Sequence, residues 1–567
     1  MSLRLALIAS VPSRTALPAG MSYLASIGSA SLIGVSATPF AVTGSTALAG
    51  WAFRRANDEI CHSLSSEEAR AVAATAGRWA IDNLWGNYLL FWREAGGDVV
   101  ILRSPVTGPA IYHHRDPGAG RQGTSTIAFT DLTLARALGF ALDRPDAQGV
   151  DAEVRFPLLR GRSTGLADVR EILPGEVACL SSGAILPQSW RPWHLKAPPA
   201  RVRPSALHTE VRRVVSAWSR RFNRIQLELS GGLDSSIVAA CLAGRSGDWR
   251  AVTLATPDPD GDERVYARAV ADRARIALQE LLLAGSPADP TAPIPRLRAR
   301  PGGFGLLAPV DRELRSSAAD FKAEAIFTGA GGDNIFGYLT SAAPIVDALR
   351  FAGPAAAWRA AGDLARMMND NIWRALRLAM VQTLRPGRLW PSDTSLLNAR
   401  FACSRPDHPW FDGAVAIPPG RRTYALKLLA IQPFLDGYDR ALELPMIAPL
   451  LSQPLVEFGL AVPSWQWGEG GHDRALARAA FAEDIPAAVL ARRVKGRIES
   501  LFYPSFDRYR APLRHFLLDG WLASEKLIDC DAIAELIDGK RRADGVAAIR
   551  VLHLADIERW VRSIIGH

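Results

Sequence analysis

Ser230-Gly231-Gly232-Leu233-Asp234-Ser235-Ser236 decides how the rest of the chain is read. Ahead of it, Arg224-Ile225-Gln226-Leu227-Glu228-Leu229 alternates polar and apolar residues, the pattern of a half-buried strand. Behind it, Ile237 to Ala243 is small and apolar, and Gly244 supplies a stop. The spacing predicts a strand, a glycine-rich turn and a helix. Glycines let the backbone approach an anion closely, and unsatisfied N–H groups at a helix start favour phosphate. A carboxylate in such a turn needs a cation beside it, so Asp234 is expected to hold Mg²⁺ against phosphates. No Gly-Lys-Ser/Thr follows, which excludes a Walker A loop. A purely structural turn accounts for two glycines but not for Ser, Asp and Ser-Ser in register after a strand.

A second turn repeats the theme. Ala325-Ile326-Phe327-Thr328 reads as a strand, and Gly329-Ala330-Gly331-Gly332-Asp333-Asn334-Ile335-Phe336-Gly337 follows it. Asn334 stands where a dinucleotide fingerprint needs its third glycine, so the turn is not of that type. Asp234 and Asp333 at two strand ends can share one Mg²⁺ on a pyrophosphate. A third constellation is Arg492-Arg493-Val494-Lys495-Gly496-Arg497. A charge run is usually a solvated helix end, yet the chain has only six lysines and Lys495 is followed by glycine. A cation there suits negative charge that develops during acyl-adenylate chemistry.

Working outward, 567 residues call for two or more domains. With 48% hydrophobic and 22% charged residues the composition is that of a soluble globular protein. The net charge of +9 comes almost wholly from Arg, without a dense basic block or a basic-aromatic stripe. No nucleic-acid partner is expected on that pattern. Cys61, Cys179, Cys241, Cys403 and Cys530 are far apart and form no CxxC pair, which fits a reducing cytoplasm rather than zinc or a disulfide framework. Leu3 to Ala9 reads as a first strand, too short for a signal segment. The uncharged stretch between Arg14 and Arg54 is too polar and too broken for a membrane helix, so strands and loops, and no membrane partner, are expected.

Residues 1 to about 195 show short strand-like runs such as Val99 to Leu102 and Glu176 to Leu180, with helical spacing from Ser65 to Ala80. Ala197 to Pro204 is rich in Pro and Arg and reads as a linker. Beyond it, helices alternate with buried strands, among them Arg250 to Thr256, which predicts a parallel α/β sheet with ligands at the strands' carboxyl ends. Pro354 to Tyr424 is rich in Trp, Arg and Pro. Helix packing plus a long loop is the plainer reading, and a lid or groove for a peptide the sharper one.

These motifs carry a resemblance. Ser230 to Ser236 resembles the pyrophosphate loop of ATP pyrophosphatases, which split ATP between its α and β phosphates. Together with Asp262 to Ala267, Thr328 to Gly337, Glu443 to Phe458, Asp473 to Gly496 and Leu552 to Trp560, it is similar to the asparagine synthetase family. Trp85 to Tyr88 and Arg103 to Tyr112 resemble that family's amidotransferase core, more weakly. The resemblance implies an α/β chain in three parts. An Ntn-type αββα sandwich, a degenerate amidotransferase-like domain, spans 1–195, a linker 196–206, and a pyrophosphate-loop synthetase domain 207–567. It implies ATP held by Leu229, Ser230, Gly231, Gly232, Asp234, Ser235, Thr256, Thr328 and Gly329, metal on Asp234 and Asp333, and catalytic roles for these two with Lys495 and Glu443.

Two departures steer the reading. Amidotransferases of this family use Cys at position 2 as nucleophile with the chain's own amine as base, and here position 2 is Ser2. The residue between the glycines of the second turn is Glu in asparagine synthetases and Tyr in β-lactam synthetases; here it is Ala330, which carries no proton. Pro449-Leu450-Leu451-Ser452 also replaces the usual Pro-Phe-Leu-Asp. A synthetase without glutamine-derived ammonia needs another amine, and the simplest source is the substrate itself. The resemblance then narrows to lasso peptide cyclases. These adenylate an Asp or Glu side chain of a core peptide and close a macrolactam with the peptide's N-terminal amine. A core peptide and a leader peptidase of the same pathway are the implied partners. The alternatives are a ligase using free ammonia or another small amine, an RNA-modifying pyrophosphatase, and an inactive peptide-binding scaffold.

Overall fold

The computed structural model describes residues 3–9, 17, 20–35, 39–116, 125–194, 201–255, 262–283, 287–302, 305–338, 341–384, 389–398, 407–492, 502–539 and 545–566. Among the described residues twelve strands precede residue 180: β1 Leu5–Ile8, β2 Met21–Ile27, β3 Ala30–Val35, β4 Phe40–Thr43, β5 Thr46–Arg54, β6 Ile60–Cys61, β7 Leu84–Arg93, β8 Val99–Arg103, β9 Ile111–Asp116, β10 Ser125–Phe129, β11 Val169–Ile172 and β12 Val177–Cys179. They make two antiparallel sheets, ordered β11-β9-β10-β1-β3-β2 and β12-β8-β7-β5-β4, with β6 on β5. Alternation along the strands sorts the side chains into two faces. Leu5, Leu7 and Leu32 of one sheet meet Ala47, Leu89, Phe91 and Ile101 of the other. The outer faces are apolar too. Ala6, Ile8, Ile33 and Phe129 pack against α3 Leu132–Ala137, α4 Ala147–Arg155 and the long closing helix Gly545–Ile565. Leu48, Phe53, Trp85 and Trp92 pack against α1 Ser66–Ala74 and α2 Arg78–Asn83.

Ser65 to Ala80, expected as one helix, is two. Ser65 caps α1 in a reciprocal box with Glu68, and the helix then breaks where Ala76 and Gly77 take positive φ. Gly77 is fixed there, because a Cβ would lie 2.8 Å from Trp92 Cη2.

The second half carries the parallel sheet. β13 Arg224–Glu228, β14 Asp248–Ala255, β15 Leu278–Leu282, β16 Ala325–Thr328 and β17 Met446–Ile447 are ordered β15-β14-β13-β16-β17. Every pairing is parallel. The chain moves outward from β13 to β15, then crosses back to β16, so the order reverses between β13 and β16. That switch point opens a crevice at the strands' carboxyl ends. Helices cover the sheet: α5 Pro204–Ser219, α6 Leu233–Leu242, α7 Arg264–Ala274 and α8 Ala308–Asp320. α5 starts at Pro204, inside the stretch read as linker, because Pro suits the first helical turn, where no N–H donor is needed. After its polar first turn α6 is apolar all round, and it is buried at every position except Cys241, as a central helix must be. After the second turn come α9 Gly332–Ile335, α10 Ala343–Ala352, α11 Pro354–Met368, α12 Ile372–Leu384 and α13 Pro419–Lys427. In the Trp-rich stretch, Trp390 and Trp410 are buried while Trp358 and Trp373 are exposed.

A cavity of ≈ 780 Å³ lies where Leu3, Arg4, β5 and β7 face Gln432 to Met446 and the closing helix. No residue of the two glycine-rich turns lines it. Among the described residues no helix is long and apolar enough to cross a membrane.

Candidate active site

The two turns sit side by side at the switch point. Gly329 follows β16, and a Cβ on it would lie 2.5 Å from Ser235 N. A Cβ on Gly332 would lie 2.3 Å from both Cβ and Cγ of Asp234. Gly231 has φ +69 and lies against Tyr266, where a Cβ would come within 2.6 Å; Gly331 has φ +84 and lies against Leu451. Glycine is therefore required at these positions by close approach and by backbone conformation. The turns interlock, and Asp234 is seated on the backbone of the second one.

Around this seat the first turn is held open for a ligand. Gly232 is the N-cap of α6 and offers no side chain to the first-turn N–H groups. Ser230 is exposed, its Oγ 3.2 Å from Ser235 Oγ and 3.3 Å from Gly232 N. Ser236 Oγ turns away and donates to Gly232 O at 2.7 Å. Leu229 N donates to Val252 O at 2.8 Å, which fixes the start of the turn to β14. Thr328 Oγ1 accepts from Ala330 N at 3.2 Å and shapes the second turn. Backbone N–H groups of the turn, two hydroxyls and a helix N-terminus make a phosphate cradle.

Asp234 and Asp333 meet at one cation. Arg474 Nη1 lies 3.1 Å from Asp234 Oδ1 and 2.5 Å from Asp333 Oδ1, and its Nε is 2.7 Å from Asp473 Oδ2. Arg474 reaches in from a left-handed residue (φ 54) just before the helix Ala475–Ala480, and it is buried. Burial opposes its charge, but Asp234, Asp333 and Asp473 more than offset this, so its pKa is raised. Asp473 is held ionised by Arg474 and Arg478 against its own burial. The Tyr338 ring stands 5.6 Å from the Arg474 guanidinium, and Tyr338 N donates to Asp333 O at 2.9 Å. Lys427 closes the other side: its Nζ donates to Tyr338 O at 2.7 Å, and its backbone carbonyl accepts from Asn334 Nδ2 at 2.6 Å. Burial lowers the Lys427 pKa, and Asp333 pulls it back up.

Two carboxylates converging on one positive group form a donor set that fits a divalent cation bridging to phosphate oxygens. Among the described residues no cluster of three or more His, Cys, Asp or Glu could hold a metal by itself, so such a cation depends on the phosphates for its other ligands.

The expected residues divide as follows. Asp234, Asp333, Ser230, Gly231, Gly232, Ser235, Thr328, Gly329 and Leu229 all lie at the crevice. Glu443 does not join them. It pairs with Arg315 at 2.7 Å, half exposed, on the short helix Arg440–Glu443 just ahead of β17. The acidic residue that does organise the sheet is Glu228, the last of β13. It is gripped by Arg440, which also binds Asp311 at 2.6 Å. Thr256 and Lys495 fall outside the described residues. Arg492, the last residue described before Lys495, lies 4.3 Å over the Tyr266 ring and pairs with Glu263. Cys61 is buried, donates to Ser63 O, and burial pushes its thiol pKa up, so it is no activated nucleophile.

Arg474 and Lys427 were not singled out by sequence reasoning. Their one signal was the crowding of charge at Asp473, Arg474 and Arg478, and the scarcity of Lys.

A family model described as Asparagine synthase matches residues 207–562, which contain both turns, Arg474 and Lys427. The chain belongs to the asparagine synthase family. Enzymes of this family use ATP to form amide bonds, and the protein is an ATP-dependent amide-forming ligase. A comparison with curated proteins finds no match.

Proposed function

We propose that this ligase is a lasso peptide cyclase. It activates an Asp or Glu side chain of a linear peptide as its adenylate and closes a macrolactam with the peptide's own N-terminal amine. The observation that carries the reading is Ser at position 2, where a glutamine-fed member of the family places its Cys nucleophile. The amine must then come from elsewhere, and an amine on the substrate turns a bimolecular step into an intramolecular one. Ala330 supports a pocket unlike that of the ammonia-using relatives, because it offers no proton carrier at the second turn.

The chemistry balances in two steps. A carboxylate oxygen attacks the α-phosphorus, the α–β phosphoanhydride bond breaks, and pyrophosphate leaves. The peptide amine then attacks the acyl carbon, the acyl–phosphate bond breaks, AMP leaves, and one proton is lost from nitrogen. The cradle at Ser230 to Ser235 would hold phosphates. Asp234 and Asp333 would hold Mg²⁺, which supplies charge neutralisation on the pyrophosphate. Arg474 pairs with the two carboxylates in the free protein and would yield that place when the cation binds. Lys495 would meet negative charge on the leaving group.

The test places two substrates side by side. With ATP and Mg²⁺, a linear peptide bearing a free amine and one Glu or Asp should become lighter by one water. Aspartate with ammonium should give no asparagine. Asparagine formed while the peptide stays linear makes the protein an ammonia-using ligase instead.

A further inference from the structure

α12 is built inside out. Its buried positions are Ala375 and Ala379, while Trp373 (70% exposed), Met380 (56%) and Leu384 (72%) face solvent. Trp373, Arg377, Met380 and Leu384 recur at helical spacing along one outward stripe about 16 Å long. Trp358 of α11, 51% exposed, meets Trp373 edge-on with ring centroids 5.9 Å apart and widens the stripe. The fold has no need of these large side chains. α11 and α12 meet through alanines, among them Ala357, Ala361 and Ala375. A contiguous exposed apolar patch of this kind marks an interaction surface.

Two further observations say what fits it. The first is charge. Arg377 lies in the stripe and Arg359 follows Trp358, both exposed. Among the described residues neither has a carboxylate within ion-pair distance, whereas the neighbouring Arg374 is taken by Asp370. The second is direction. At the carboxyl end of α12, Gln382 lies 3.4 Å from Ser341 Oγ. Ser341 is three residues beyond Tyr338, whose ring faces Arg474. The carboxyl end of α12 therefore lies against the residue that opens the chain after the second turn.

We propose that the outward face of α12, with Trp358 beside it, docks a linear peptide whose apolar side chains are flanked by a carboxylate, and leads it into the site. This rests on the peptide reading of the substrate. About five extended residues span the stripe, so the surface reads a short segment of the peptide.

The probe is a dye-labelled pool of synthetic linear peptides about 15 residues long, roughly three times the length that spans the stripe. Each has a free amine and a single Glu among Leu, Phe and Trp, and a control pool carries Lys for Glu. Fluorescence anisotropy should show the Glu pool binding the parent protein at least tenfold more tightly than it binds Trp373→Ala/Leu384→Ser or Arg377→Glu. ATP binding should be unchanged in both variants, and Arg377→Glu should favour the Lys pool. All these positions are exposed, and unchanged circular dichroism melts exclude misfolding. Equal anisotropy in parent and variants, from equal binding or from none, overturns the proposal. So does sedimentation with anionic phosphatidylglycerol vesicles, or a parent dimer, if either is lost in the variants while peptide binding is not. Mass spectrometry separates this from the activity. Peptide held by α12 but never losing water leaves the docking face standing and removes the cyclase. Ring closure at parental rate and KM in the variants does the reverse.

Discussion

Gly332→Ala probes the interlock of the two turns. The new Cβ would sit 2.3 Å from Cβ and Cγ of Asp234. Carbon atoms rest at about 3.5–4.0 Å, so one partner must move by at least about 1.2 Å. Gly332 has no positive φ, so Ala is not barred by its backbone, and the strain falls on the contact alone. α6 cannot retreat, because it is buried all round. Asp234 must swing off its seat, away from Arg474 and from the cation it would share with Asp333. A misplacement of about 1 Å at a reacting centre costs on the order of 10² in rate, and the overpacking adds about 1–3 kcal/mol of destabilisation. The assay is AMP release from ATP in the presence of substrate, beside a urea unfolding curve. Gly362→Ala is the control: its Cβ meets nothing nearer than Ile372 Cδ1 at 4.0 Å, in mid-helix, and should leave the rate unchanged. A Gly332→Ala enzyme within roughly twofold of the parent rate would refute the claim that the turns must touch for Asp234 to work.

Other consequences are as direct. Asp234→Asn and Asp333→Asn should each abolish AMP formation while circular dichroism stays parental; a variant that keeps the parent rate removes its carboxylate from the cation site. Lys495→Met should bind ATP normally yet lose about 10²–10³ in rate, as for one lost transition-state contact, and parental turnover would withdraw its role. His408 is buried, and its Nδ1 accepts from Trp410 N at 3.1 Å, so the fold needs it neutral; burial holds its pKa down to about 3 against an ordinary 6.5. The unfolded chain takes up that proton first, so this stability is complete above pH 6.5 and is lost as pH falls towards 3, by up to about 1.4 kcal/mol per pH unit. Urea midpoints at pH 7 and pH 5 should therefore differ less for His408→Asn, whose amide oxygen can accept the same bond, and an equal difference would show that another group sets the acid sensitivity.

Much of the site could be read from the chain because its turns are local. Arg224 to Ser236 and Ala325 to Gly337 each carry strand, glycines and carboxylate within thirteen residues, and β13, α6 and β16 lie where those patterns put them. Close approach explains why the glycines had to be there. What joins the turns is not local. Arg474 is 240 residues from Asp234, and Lys427 is 94 from Asp333. In one dimension Asp473, Arg474 and Arg478 look like the charged face of an exposed helix. The left-handed turn at Arg474 instead buries its guanidinium. Glu443 shows the converse: a carboxylate near a matched motif is paired with Arg315 rather than with any residue of the two turns. For α12 the Trp-rich stretch allows a peptide lid or groove as the sharper reading, but does not show which face carries it. Its hydrophobic spacing is that of any amphipathic helix, and only the fold tells which side is outside.

The central claim is that the attacking amine belongs to the substrate, and blocking that amine tests it most directly. A linear peptide with one Glu or Asp should lose one water and yield one AMP. The same peptide acetylated at its N-terminus should stay linear, and with hydroxylamine present it should accumulate the side-chain hydroxamate, which shows that activation proceeds while closure cannot. If the acetylated peptide is instead amidated by added ammonium as readily as the free one, the amine is external and the ring-closing account is wrong.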